Sequence, residues 1–220
     1  MSSTESISRL RAEAEGCRAC PLWRHATQTV FGEGQAPAAV MLVGEQPGNE
    51  EDRQGHPFVG PAGALLERAL EQAGIARDQV YVTNAVKHFK WEPRGKRRIH
   101  KTPAQREIDA CNRWLSAEIA SVMPKLIVCL GTTAGRAVLG HAVRIATLRG
   151  TVYTAPEHPE RQVAVTYHPA YVLRQRDQDR FAEAYHELVS DLSAVARTLN
   201  EPSRRAPVLQ RPAGAQRPSA

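Results

Sequence analysis

No stretch of this chain approaches the ~18 consecutive apolar residues that a membrane span requires. Its N-terminus, MSSTESISRLRAEAEG, lacks the apolar core of a secretory signal. Both absences lead to the expectation of a cytoplasmic protein with no membrane partner. Cysteine is scarce: there are four among 220 residues, and with no export signal they are not expected to pair as disulfides. No segment repeats another, so nothing suggests a solenoid or a propeller. Acidic residues are nearly missing from one stretch, where Glu92 alone stands among seven basic residues between Lys87 and Lys101.

What remains is enough for a globular body, because hydrophobic residues make up 42% of the chain. The net charge is +6 and is unevenly placed. The stretch just named holds Lys87, Lys90, Arg94, Lys96, Arg97, Arg98 and Lys101. The segment from Glu201 to Ala220 adds Arg204, Arg205, Arg211 and Arg217. The rest is net acidic. A neutral-to-acidic body with one basic loop suggests contact with a polyanion; a solvated charge run is the bland alternative.

The cysteines form one CxxC pair, Cys17 and Cys20, followed far downstream by Cys111 and Cys129, with 17 residues between those two. Four thiolates suit zinc or an iron–sulfur cluster, although the second spacing is not that of a zinc ribbon. A redox CxxC and unrelated core cysteines are the alternatives. Cys129 lies inside the apolar run LIVCL and reads equally well as a small core residue.

Residues 39–43, 80–83, 126–130 and 162–166 read as short buried strands. Helical spacing follows the first, in ALLERALEQAG with Gly74 as its stop. A second helix is expected from a Thr102 cap and Pro103 to about Val122, and a last one from about Arg180 to Leu199. The polar stretch between Lys87 and Lys101 reads as a loop. Strands alternating with helices predict a three-layer α/β/α fold around a mostly parallel, four-stranded sheet. Residues 1–200 form the expected domain and 201–220 a disordered basic tail. Glu45, Asn84 and His168 each follow a strand, so their side chains should converge at one edge of the sheet.

Six stretches in order resemble the uracil-DNA glycosylase superfamily, specifically family 4 and its UdgX-type relatives. They are CRACPLWRHATQTVFGEG, VGEQPGNEEDRQGHPFVGPAGALL, VYVTNAVKHF, LIVCLGTTAGRAVLG, IATLRG and TYHPAYVLR, spread over residues 10–195. The resemblance implies a base excision repair enzyme acting on uracil-containing DNA, with a [4Fe–4S] cluster on Cys17, Cys20, Cys111 and Cys129. A monomer with no nucleotide cofactor is expected.

The chemistry assigns roles. A base stacked in DNA must be flipped out, and Phe58 is placed to stack on it. The Asn84 amide offers a donor and an acceptor that match uracil and mismatch cytosine. His168 donates a hydrogen bond to the departing uracil anion. Glu45 and Asp52 are the expected pocket carboxylates, Gln46 and Arg174 substrate contacts, and Lys96, Arg97, Arg98 and Lys101 contacts to the DNA backbone. GEQPG with Gln46, and RGKRRIH ending at His100, resemble the UdgX signature. That likeness implies that His100 bonds to the sugar once uracil leaves. The basic neighbours of His100 are expected to disfavour its protonated form. A turnover glycosylase, a non-catalytic DNA-binding module, and a nucleotide-binding or redox protein are the rival readings.

Overall fold

The computed structural model describes residues 2–155, 158–201 and 206–210. Strand β1 (Val40–Gly44) is buried on both faces, as are β2 (Val80–Asn84) and β5 (Leu126–Leu130). Continuous apolar runs of this kind form the middle of parallel sheets covered on both sides. With β6 (Val152–Ala155) and β7 (His158–Thr166), the order is β2-β1-β5-β7-β6. The four expected strands pair in parallel. The sheet has a fifth, β6, which runs antiparallel to β7 at the edge.

Side chains alternate across this sheet. Met41, Val43, Tyr81, Ile127 and Val163 face one core, roofed by α1 (Ser3–Glu15) and α4 (Gln105–Val122). Val40, Leu42, Val82, Val128 and Ala164 face the other. There α3 (Pro61–Ala73) and α8 (Gln178–Asn200) supply Leu66, Leu70, Leu188 and Leu192. Short helices α2 (Asn49–Gln54), α5 (Thr132–Leu139), α6 (Ile145–Leu148) and α7 (Pro169–Leu173) border the C-terminal ends of the strands. No helix among the described residues is long and apolar enough to cross a membrane.

Three local expectations need correction. Helix α4 starts at Gln105, after Thr102 and Pro103. Its free end is capped from within, because Glu107 Oε2 accepts the Ala104 N–H at 2.6 Å. The basic stretch is a hairpin of β3 (Trp91–Arg94) and β4 (Arg97–His100), with Trp91 opposite His100. Gly95 makes its turn at φ +59°, the left-handed region that glycine enters without strain. Within the segment expected to be a disordered tail, Val208 bridges to Thr154 and Leu209 is buried. The remainder of 201–220 apart from Glu201 and residues 206–210 lies outside the described residues.

Candidate active site

A cavity of about 470 Å³ opens at the C-terminal ends of the parallel strands. Its lining includes Glu45, Phe58, Asn84, His100, His168 and Arg174. Glu45 leaves β1, Asn84 ends β2 and His168 follows β7, so the convergence expected from strand order is present. The loops after β1 and β2 are tied together, with the Ala85 and Val86 N–H groups donating to Gly44 and Glu45 oxygens at 2.9 and 3.0 Å.

Asn84 is 3% exposed, and its side-chain amide makes no hydrogen bond to any described residue. Its backbone is anchored from behind. Lys87 Nζ donates to the Asn84 carbonyl at 2.8 Å and to Thr83 Oγ1 at 2.6 Å, and pairs with Glu118. Glu118 also accepts from Tyr81 Oη and Gly32 N, both at 3.0 Å. A buried ion pair survives only with such full hydrogen bonding. Gly44 lies beneath: a Cβ there would come within 2.3 Å of Asn84 Oδ1 and 2.7 Å of the Phe58 ring.

Phe58 adopts φ +58°, a left-handed conformation rare outside glycine. It is held by the turn around it, where the Gly60 N–H donates to Glu51 Oε1 at 2.8 Å. Glu51 is buried and lines the cavity. Sequence reasoning missed it, because an acid within NEEDRQ gives no sign of which way it faces. The rings of Phe58 and His168 lie nearly parallel, with centroids 6.1 Å apart. His168 Nδ1 accepts the Ala170 N–H at 3.1 Å, which leaves Nε2 to carry the proton of the neutral ring. Burial, then Arg174 and His100, pushes the His168 imidazole down to about 4, so it is a neutral donor at pH 7.

Glu45 Oε2 accepts from Thr133 Oγ1 at the start of α5, a support that the sequence reading did not include. Glu45 Oε1 lies 3.4 Å from His100 Nε2. The His100 imidazole is held below its ordinary range by burial, against Glu45 and with Arg174. Burial is the main cause of the depression and Arg174 adds to it, whereas the basic residues beside His100 in the chain do not contribute.

Gln46 lines the cavity, but its amide is engaged elsewhere. Nε2 donates to the carbonyls of Lys90 and Lys101, both at 3.1 Å, and Oε1 accepts the Lys90 N–H at 3.0 Å. These residues are the two feet of the hairpin, so Gln46 is a clamp on it and not a free substrate contact. Asp52, by contrast, does not line the cavity at all. It is fully buried, accepting from Thr27 N at 2.9 Å, Thr27 Oγ1 at 2.6 Å and Arg98 Nη1 at 2.5 Å. Arg98 also donates to Asn49 and packs on Phe89 and Trp91. Its guanidinium therefore fastens the hairpin and is not presented to a phosphate.

The same accounting reduces the basic stretch. Lys87 is buried, Lys90 pairs with Glu107 at 2.9 Å and Lys101 with Glu92 at 2.8 Å. Arg94, Lys96 and Arg97, around the hairpin turn, are exposed, and none has an ion-pair partner among the described residues.

The cysteines are only partly brought together. Cys111 is pushed up to about 11 by burial, against Lys87 and with Cys20 and Cys17 adding to the rise. Those three thiols are mutual neighbours. The Lys87 N–H donates to Cys111 Sγ at 3.3 Å, and Trp114 Nε1–H to Cys17 Sγ at 3.2 Å. Cys129, on β5, is pushed up to about 12 by burial alone and feels none of the other thiols. As placed, no three His, Cys, Asp or Glu side chains among the described residues form a metal-holding group. His88, next to Lys87, is buried on the cysteine side, its ring sharing a 3.0 Å hydrogen bond with Thr29 Oγ1. Thr29 in turn donates to the Ala14 carbonyl, which also accepts the Cys17 N–H.

A two-stranded hairpin is marginal by itself, so its anchors decide its order. Gln46→Leu removes three hydrogen bonds, worth about 0.5–1.5 kcal/mol each. The Lys90 amide is expected to lose about tenfold or more of its hydrogen-exchange protection while β1 keeps its own. Unchanged exchange at Lys90 would contradict the clamp.

The family model of the uracil DNA glycosylase superfamily matches residues 31–190. A protein from Sulfurisphaera tokodaii named a type-4 uracil-DNA glycosylase is 35% identical, over 86% of this chain and 86% of that one. Another so named, from Thermotoga maritima, is 41% identical over 74% of this chain and 81% of its own. A type-5 uracil-DNA glycosylase of Pyrobaculum aerophilum is 31% identical over 68% and 71%. With the family model spanning most of its length, the chain belongs to the uracil DNA glycosylase superfamily.

Proposed function

We propose that this chain excises uracil from DNA in base excision repair and that His100 then bonds covalently to the exposed sugar. The observation that carries the reading is the hairpin's delivery of His100 to a cavity holding Glu45, Asn84, Phe58 and His168. In it, the flipped uracil stacks on Phe58 and meets the Asn84 amide, whose donor and acceptor are free for its edge. The glycosidic bond breaks with its electron pair leaving on uracil. The neutral His168 Nε2–H donates to the developing anion. Glu45 stabilises the cation-like sugar. His100, neutral and held in place, then competes with water at high effective molarity. The lone pair of its cavity-facing nitrogen forms the new bond to the anomeric carbon. The ring becomes cationic beside Glu45 and then releases its remaining N–H proton to water. Arg174, unpaired among the described residues, contacts the flipped nucleotide's phosphate. Lys96 and Arg97 contact DNA from the hairpin.

A turnover glycosylase is the second reading, favoured by the type-4 names of the relatives. The two differ in the fate of the DNA. Incubated with uracil-containing DNA, the chain is expected to give a denaturant-stable protein–DNA band. His100→Ser should abolish that band and release uracil over many turnovers. A band that persists in His100→Ser removes His100 from the role.

Protonation of His100 would remove its nucleophilic lone pair. Because its folded pKa is lowered, adduct formation should hold as pH falls through ~6.5, the ordinary imidazole value, and fail only below it. Arg174→Gln removes one lowering influence and should move the acidic limb of the pH profile upward. A limb that stays in place would separate Arg174 from His100.

We also infer that the cysteine side holds a [4Fe–4S] cluster. Cys17, Cys20 and Cys111 supply thiolates with N–H donors already aimed at two of them, and the His88 imidazole completes the set from the same side. When bound, such a cluster is a structural cross-link between the N-terminal arm and α4. Cys111→Ser is expected to lose iron and the absorbance near the visible edge, whereas Cys129→Ser retains both. Iron lost equally from both variants would restore Cys129 to the ligand set.

A further inference from the structure

The segment between α1 and β1 carries cations that the cavity does not use. From Gly16 to Gly32 it contains no acidic residue, while Arg18 and Arg24 bracket Trp23. Their guanidinium carbons lie 4.8 and 5.7 Å from the Trp23 ring centroid. Both arginines are exposed, and neither has an ion-pair partner among the described residues. A solvated charge run would not need to gather around a partly exposed indole. Two unpaired cations on one aromatic ring form a surface that attracts phosphates and stacks bases.

This arm touches the hairpin. Trp91 Nε1 donates to the His25 carbonyl at 2.9 Å, and Trp91 lies directly opposite His100 across the two strands. Arg98 reaches Thr27 Oγ1 at 3.3 Å. The path from the cavity mouth at His100 therefore continues over the hairpin onto the arm. It is flanked by Arg94, Lys96 and Arg97 on one element and by Arg18 and Arg24 on the other. Residues 16–32 hold no carboxylate to interrupt it.

We propose that the arm is a second DNA contact, holding the strand that runs on from the flipped nucleotide. Arg18 and Arg24 meet its phosphates and Trp23 stacks one of its bases. The inference rests on the cavity being the uracil site. It also gives the cysteine side a task beyond stability, since Cys17 and Cys20 lie at the root of this arm.

The test compares two single-stranded oligonucleotides, each with one uracil. One has about two nucleotides on either side of it, and the other is long enough to fill a site of roughly 4–16 nucleotides on both sides. Binding is measured with a non-hydrolysable uracil nucleotide, across a range of salt. The unaltered chain should bind the long strand more tightly. Arg18→Gln/Arg24→Gln should lose most of that advantage and flatten the salt slope by about 1.4, at about 0.7 per phosphate contact. Trp23→Ala should reduce the advantage by about tenfold. Arg24→Glu alone, outside the CxxC pair, repeats the test in a variant whose iron content is checked against the unaltered chain. A long-strand advantage that survives all three variants overturns the proposal, as does equal weakening on both lengths. If the unaltered chain processes uracil in neither strand, the cavity reading fails first, and that outcome is distinct from a failure of the arm.

Discussion

Three hydrogen bonds from one side-chain amide hold this site in its shape. Gln46, just past the end of β1, grips both feet of a hairpin that makes no strand pairing with the main sheet. The delivery of His100 to the cavity depends on that grip. The hairpin is polar on both faces and has no core of its own, so it could not stand alone. Fixed at Lys90 and Lys101, and pinned again where Arg98 enters the Asp52 pocket, it brings His100 within 3.4 Å of Glu45. The two sequence signatures, GEQPG and RGKRRIH, are thus one mechanical unit: the first holds what the second presents.

The second constraint is electrostatic and lies behind the sheet. The buried Lys87–Glu118 pair draws Thr83, Tyr81, Gly32 and the Asn84 carbonyl into one network. Desolvating two charges is unfavourable unless their remaining bonds are satisfied, and here the network satisfies them with the backbone that must be rigid. The Asn84 amide is thereby left without an internal partner and open to the cavity. Lys87 also joins the two halves of the molecule, since its N–H reaches Cys111 while its ammonium reaches Asn84.

Much of this was legible in the chain. The parallel strands were readable because each is a short, largely apolar run, and the polar residues that follow three of them, Glu45, Asn84 and His168, come together at one edge of the sheet. Other features were not. The segment WEPRGKRRIH has no apolar alternation, so only Gly95 hinted at a hairpin. The antiparallel edge strand β6 is four residues long, too short to stand out. Asp52 sits in an acidic run whose helical phase turns it toward Thr27 and Arg98, away from the cavity. Formal charge overstated the basic face, because four of its seven cations have internal partners. The spacing of Cys111 and Cys129 gave only their separation along the chain; it did not show that Cys129 on β5 is fully buried in the core, with burial alone acting on its thiol.

The central claim is that the hairpin places a nucleophile where the sugar cation forms. Peptide mapping of the protein after reaction with uracil-containing DNA tests it most directly. The account predicts a single modified peptide spanning β4, with the added mass of the DNA less uracil carried on His100. An adduct mapped to any other side chain, or free abasic DNA with the β4 peptide unmodified, would contradict it.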